Sequence, residues 1–248
     1  MRAYYEQGGI KIYHGDYREV LPAINSKFDT LLSDPPYATT NLAWDKPVDW
    51  KFFWREADRL CKPSAPMVLL SSGKFTIELI NSNPKNYRYE LIWEKPMPTG
   101  FLDAKRRPLR AHENILVFAR KFKGSAYNPQ MVVGRMHMRG NAGSLAAHYK
   151  TKRLTAGEVS NEYYPRSILR FQNARGSKSL HPTQKPLPLV TWLLRTYSHR
   201  GDLVLDPFIG SGTTLAAAQE LGRRAVGIEM DERYCEIAAN RLRQASAA

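Results

Sequence analysis

Apolar positions along the chain fall into short runs, and strand-like and helix-like spacings take turns. Phe28–Ser33 (FDTLLS), Met67–Ser71 (MVLLS), Tyr89–Trp93 (YELIW) and Ile115–Ala119 (ILVFA) are strand-sized apolar stretches bounded by turn residues. Between the first two, Asp49–Leu60 carries apolar residues at helical spacing. The rhythm returns near the other end. Pro186–Tyr197 reads as a helix, Leu203–Leu205 as a buried strand and Thr213–Leu221 as a helix. Ala225–Ile228 is another strand, and Asp231–Gln244 is an amphipathic helix. Short buried strands alternating with helices predict an α/β domain with a doubly wound, mostly parallel sheet. Residues 121–180 break the pattern, being rich in Arg, Lys, Tyr, Gly, Asn and Ser without a clear period. They are expected to form an inserted, irregular region between 1–120 and 181–248, two halves of one sheet.

Composition narrows the class. A chain of 248 residues with 43% hydrophobic and 24% charged residues has enough apolar side chains for a core, which excludes wholesale disorder. No run of 18 apolar residues occurs, so no membrane partner is expected. The opening MRAYYEQGG lacks the apolar core of a secretory signal, and the expected location is cytoplasmic. Cys61 and Cys235 are too few for a disulfide framework or a four-thiolate zinc site. His14, His112, His137, His148, His181 and His199 show no metal-ligand spacing, and no metal is expected.

Charge changes the picture more. The net charge is +14, but residues 1–94 hold 12 basic and 12 acidic side chains. Residues 181–248 hold 8 against 7, whereas 95–180 hold 17 against 4. A segregated basic block points to a polyanionic partner. Lys105, Arg106 and Arg107 lie inside it and are expected to contact phosphates, the plainer reading being a solvated loop.

Two constellations carry chemistry. Asp34-Pro35-Pro36-Tyr37 follows directly on the Phe28–Ser33 strand, where α/β folds place ligands. The amino group of a nucleobase is a poor nucleophile, because its lone pair is delocalised into the ring. An Asp carboxylate and a backbone carbonyl can accept its N–H bonds and favour a tetrahedral nitrogen. A tyrosine offers a face on which an extruded base can stack. The plainer reading is a rigid turn closing a strand.

The second constellation, Asp206-Pro207-Phe208-Ile209-Gly210-Ser211-Gly212-Thr213, lies between a buried strand and a helix. Gly210 and Gly212 would let backbone approach a ligand at that helix start. Leu215 stands where a full dinucleotide fingerprint wants a third glycine, and no Gly-Lys-Ser/Thr follows. Glu229, at the end of the next strand, is placed to bind ribose hydroxyls.

Together these residues resemble the amino-methyltransferases that act on DNA with S-adenosylmethionine. Asp34–Tyr37 is similar to their catalytic motif and Asp206–Gly212 to their cofactor loop. His181-Pro182-Thr183-Gln184-Lys185-Pro186 is similar to the segment before the cofactor loop in the permuted, beta-type members. Ala104–Arg120 and Tyr127–Met131 look like phage-associated members. The order of motifs also matches: catalytic half, target-recognition region, cofactor half. The resemblance spans essentially the whole chain and implies a Rossmann-like methyltransferase fold.

It implies roles as well. Asp34 would hold the target amino group with help from the Pro35 backbone, and Tyr37 would stack on the flipped base, in a loop that Pro35 and Pro36 stiffen by their fixed φ. Phe208, Gly210 and Gly212 would line the methionine end of the cofactor, with Asp206 near its amino group. Glu229 would bind the ribose and Met230 would pack on the adenine. Asp16, in His14-Gly15-Asp16, would reach the adenine amino group, or would simply cap the helix Tyr17–Leu21. Thr183 and Lys185 would sit near the methionine carboxylate, and Lys95-Pro96 is a candidate for the target-side loop.

The implied reaction is direct methyl transfer to N6 of adenine in DNA after base flipping. The lack of a Pro-Cys pair disfavours cytosine C5 chemistry. Cytosine N4, an RNA adenine and a DNA-binding protein without catalysis remain alternatives. The resemblance is compatible with restriction–modification, with a homodimer and with an endonuclease partner, and requires none of them.

Overall fold

A computed structural model of the protein describes residues 1–38, 46–138, 159–172 and 184–246. These form two compact units, one of Met1–Asn128 with Ser167–Ala248 and one of Pro129–Arg166. Composition placed the change of character at 121–180. Residues 167–172 belong to the larger unit because a strand among them pairs with its sheet.

In the larger unit the strands are β1 (Tyr5–Gln7), β2 (Ile10–His14), β3 (Thr30–Ser33), β4 (Met67–Ser71), β5 (Tyr87–Thr99) and β6 (Arg110–Phe118). After β7 (Val132–Met138) and β8 (Val159–Tyr163) of the smaller unit come β9 (Ile168–Arg170), β10 (Leu203–Asp206) and β11 (Arg224–Glu229). The helices are α1 (Tyr17–Ala23), α2 (Trp50–Leu60), α3 (Lys74–Ser82), α4 (Leu187–Tyr197), α5 (Thr213–Glu220) and α6 (Glu232–Ser246). Nine strands make one sheet in the order β1-β2-β11-β10-β3-β4-β6-β5-β9. The run from β2 to β4 is parallel, whereas β6 is antiparallel to both β4 and β5.

Every residue of β3 and β4 is buried, without polar alternation, because helices cover both faces. The period of two survives in where each side chain goes. Leu31, Leu69, Leu205 and Val226 pack with Phe53, Ala57 and Leu79 from α2 and α3. Their neighbours Leu32, Val68, Val204 and Ala225 pack with Leu193, Leu215 and Ala238 from α4, α5 and α6. From β3 the chain winds to β4 on one side, and from β10 to β11 on the other. The adjacent pair β3 and β10 is therefore the switch point, and their carboxyl ends open a crevice.

Four elements of the larger unit escape the periodicity reading. The hairpin β1–β2 buries few residues, chiefly Tyr5, Ile10 and Ile12, and turns at Gly8-Gly9. Helix α3 buries only Phe75, Thr76 and Leu79, too few for a clear stripe. Strand β9 has a single buried residue, Leu169. In the smaller unit, β7 and β8 form an antiparallel pair in which the His137 and Tyr163 rings stack at 4.2 Å.

Candidate active site

A cavity of about 600 Å³ occupies the switch-point crevice. Asp34 enters it from the loop after β3 and Asp206 from the last position of β10. The two strands are bridged below the crevice: buried Ser33 Oγ donates to Asp206 Oδ1 at 2.5 Å. Phe208 N donates to the same oxygen at 3.0 Å. Burial pushes Asp206 up to about 6, with the Ser33 hydroxyl opposing.

Asp34 is held from two sides. Tyr37 Oη donates to its Oδ1 at 2.8 Å, and Lys185 Nζ lies 2.8 Å from its Oδ2. Lys185 also lies 3.1 Å from Glu113 Oε2, and Lys95 Nζ donates to Glu113 Oε1 at 2.7 Å. Two ammoniums and two carboxylates thus alternate along the cavity floor, with Lys185 only 10% exposed. Burial pushes Asp34 above the ordinary carboxylate range although Lys185 opposes it. Burial also works against the Lys185 ammonium, yet Asp34 and Glu113 outweigh it and raise Lys185. Glu113 is likewise costly to bury, but Lys185 and Lys95 hold it below the usual range.

The Tyr37 ring stacks on Phe75 at 4.7 Å, and the Lys185 ammonium lies 5.6 Å from its centroid. Pro35 and Pro36 line the wall beside it. Ala38, next in the chain, has a φ of 53°, and no other non-glycine described residue has a positive φ. Strain is stored beside the motif.

At the other end, buried Glu229 closes β11. Its Oε2 accepts from Gly210 N at 2.9 Å and its Oε1 from Asp231 N at 2.9 Å. Burial raises this carboxyl, while the Asp231 and Gly210 amides favour its charge. Phe208 packs edge-on against Tyr17 at 5.0 Å, and Met230 stands at the cavity edge. Asp16 lines the cavity and caps α1, accepting from Arg18 N at 2.8 Å. The Arg18 guanidinium grips it at 2.6 Å and holds it below the ordinary carboxylate range.

The structure brings Asp16, Asp34, Pro35, Pro36, Tyr37, Lys185, Asp206, Phe208, Gly210, Glu229 and Met230 to this one cavity. Two residues carry contacts that the sequence did not indicate. Lys185, expected beside a cofactor carboxylate, lines the cavity and pairs with Asp34 and Glu113. Gly212 is absent from the lining, and its role is packing: a Cβ there would lie 2.7 Å from Ala238 Cβ, at a φ of 77°. Thr183 lies outside the described residues. Lys105, Arg106 and Arg107 are exposed beyond the cavity, with Arg107 paired to Asp103 at 2.6 Å. Glu113 was not singled out in the sequence. Its one signal is that it is among the four acids of the basic block 95–180. Among the described residues no cluster of His, Cys, Asp and Glu could hold a metal ion, and no helix is long and apolar enough to cross a membrane.

The family model for N6/N4 DNA methylases matches residues 28–240. This chain is a member of the DNA methylase family. The methylase is 28% identical over 250 residues to the DNA adenine methyltransferase YhdJ of Escherichia coli (strain K12), covering 95% of this chain and 83% of that protein. It is 28% identical to the type II methyltransferase M.HinfI of Haemophilus influenzae, over 94% of this chain and 68% of that protein. The crystal structure of an M1.HpyAVI–SAM complex superposes with a TM-score of 0.67 at 27% identity, covering 94% of this methylase and 98% of that chain. The cytosine-N4-specific PvuII DNA methyltransferase gives a TM-score of 0.67 at 17% identity, over 96% and 90% of the two chains. That second likeness is one of fold.

Proposed function

We propose that this methylase transfers a methyl group from S-adenosylmethionine to the N6 amino group of adenine in DNA, with the base flipped into the cavity. One observation carries the reading: Asp34 and Glu229, a target-side and a cofactor-side carboxylate, face the same cavity from opposite sides of the β3–β10 switch point. A cavity of about 600 Å³ suits a nucleoside-sized ligand. Glu229 keeps lone pairs for paired hydroxyls beyond the two amides it already accepts, so the cofactor-side residues fit the group. When bound, the cofactor supplies a methyl group already activated on a sulfonium.

The chain's own residues do the rest. Asp34 accepts an N–H of the target amine and localises the nitrogen lone pair. Its raised pKa suits it to hold the proton that the methylated nitrogen sheds. Lys185 favours the ionised form of Asp34 against burial and holds it in place before transfer. Tyr37 stacks on the base after its hydroxyl gives up Asp34, and Phe75 backs its ring.

Ser33 bears on the choice of base. In the resemblance, a serine at the first motif position goes with cytosine N4. Here Asp34 holds that position, and the Ser33 hydroxyl before it is buried and bonded to Asp206, which favours adenine. The region 121–180 is assigned to gripping or reading DNA. Incubating DNA with labelled S-adenosylmethionine, then separating N6-methyladenine from N4-methylcytosine after hydrolysis, tests the assignment. Label in N4-methylcytosine would overturn it.

A further inference from the structure

Past the cavity, β5 and β6 continue as a hairpin. Thr99 pairs with Arg110 across it, and both line the cavity mouth. Pro96 and Pro98 cannot donate to the ladder, and the register shifts between Glu94 and Thr99. Their fixed φ angles also stiffen the strand. Gly100, with a φ of 91°, then turns the chain into a single 3-10 turn, Phe101–Asp103.

The tip is unlike the surrounding surface. Phe101 is 80% exposed and Leu102 is fully exposed, with Met97 63% exposed behind them. Large apolar side chains gained nothing in this fold, so the tip is shaped to bury against something else. Lys105, Arg106 and Arg107 follow directly and are exposed. Asp103 is the one acidic residue between 95 and 112, and Arg107 neutralises it. An apolar point in a positive collar suits a polyanion whose interior is stacked rings, which describes duplex DNA. A partner entered by this tip would sit at the cavity mouth, since Phe101 is two residues from Thr99.

We propose that Phe101 and Leu102 form a wedge that enters the base stack beside the target nucleotide and holds the gap open while the base occupies the Asp34 cavity. The wedge rests on the reading of this chain as a base-flipping DNA methyltransferase. Its energetic role is to replace the stacking lost on extrusion, so it matters less where stacking and pairing are already broken.

The test is single-turnover methyl transfer by the Phe101→Ala/Leu102→Ala double variant of the full chain. Two substrates are compared: a duplex bearing a sequence the wild type methylates, and the same duplex with an abasic site opposite the target base. The variant should lose more than about tenfold on the intact duplex and less than about threefold on the abasic-opposed one. Its salt dependence of DNA binding should not change, because no charge is removed. Equal losses on both substrates would overturn the wedge and assign the tip to general binding or stability. No loss on either would overturn it too and give the tip to another partner. Transfer by the wild type to cytosine alone would sink the adenine reading without touching the wedge. No transfer to any DNA by the wild type would sink both.

Discussion

Lys185 Nζ lies 2.8 Å from Asp34 Oδ2 and 3.1 Å from Glu113 Oε2, so one ammonium joins the loop after β3 to strand β6. The link ties the Asp34 carboxylate to a rigid element in addition to Tyr37 of its own loop. It also sets the charge of Asp34, and a first prediction concerns pH. In the proposed reaction Asp34 acts ionised, so activity should be lost as pH falls through its pKa. Lys185 opposes the upward push of burial. Lys185→Met should therefore move the acid limb of the single-turnover pH–rate profile to higher pH, whereas Glu113→Gln, which removes a negative charge that raises Asp34, should move it to lower pH. An acid limb unmoved by Lys185→Met would separate Lys185 from the chemistry.

Asp34→Ala should abolish methyl transfer and leave S-adenosylmethionine affinity within about twofold, because the carboxylate is proposed to hold the target amine and not the donor. A variant with more than a tenth of the wild-type rate would have lost under ~1.4 kcal/mol of barrier. That is too little for the group holding the nucleophile. Transfer kinetics and titration calorimetry read the two arms.

Glu229→Ala should weaken S-adenosylmethionine binding by about 1–3 kcal/mol, the cost of removing a charged acceptor from paired hydroxyls. The Gly210 and Asp231 amides lose their partner in the same variant, so Glu229→Gln, which keeps an acceptor, should fall between. Calorimetric affinities unchanged in both would place the ribose elsewhere.

Asp206 carries a pH signature in stability. Its folded pKa of about 6 lies above the unfolded value, so the folded state holds the proton more tightly. Its effect is absent below about pH 4, and stability falls as pH rises through the window to about 6. Above that the cost is full, at about 3 kcal/mol. Asp206→Asn keeps an acceptor for Ser33 and Phe208 and cannot ionise. Urea melts should show its advantage over wild type growing between pH 4 and 6 and then levelling off. A difference that does not vary with pH would contradict the burial assigned to this carboxyl.

Replacing Lys105, Arg106 and Arg107 with Ala should make the slope of log K against log salt shallower, by up to about 3 units if each side chain meets a phosphate. Arg107 already has Asp103 at 2.6 Å, so its share should be the smallest. The weakening should be similar on methylated-sequence and unrelated duplexes, because phosphate contacts do not read sequence. An unchanged slope would leave the three side chains facing solvent.

The alternation of short apolar runs with helical spacing was enough to locate β3, β4, β10 and β11, since strands covered on both faces cannot hide their apolar character. Asp34 and Glu229 were legible for a related reason: each ends such a strand, and the ends of parallel strands are where ligands gather. The pairings across the cavity were not legible. Nothing local in Glu113 says that it faces Lys185, or that Lys185 is taken by two carboxylates. Those contacts exist because β6 folds back antiparallel beside β4, which brings Glu113 to the floor of the crevice. Gly212 shows the same limit. A glycine in a loop before a helix reads as room for a ligand, and only the approach of α6 reveals that Ala238 occupies the space. Sequence thus determined which residues are candidates for the chemistry, because residue type and strand position are local properties. Which of them touch, and what charge each then bears, was decided by tertiary structure, because distance and burial belong to the packed chain alone.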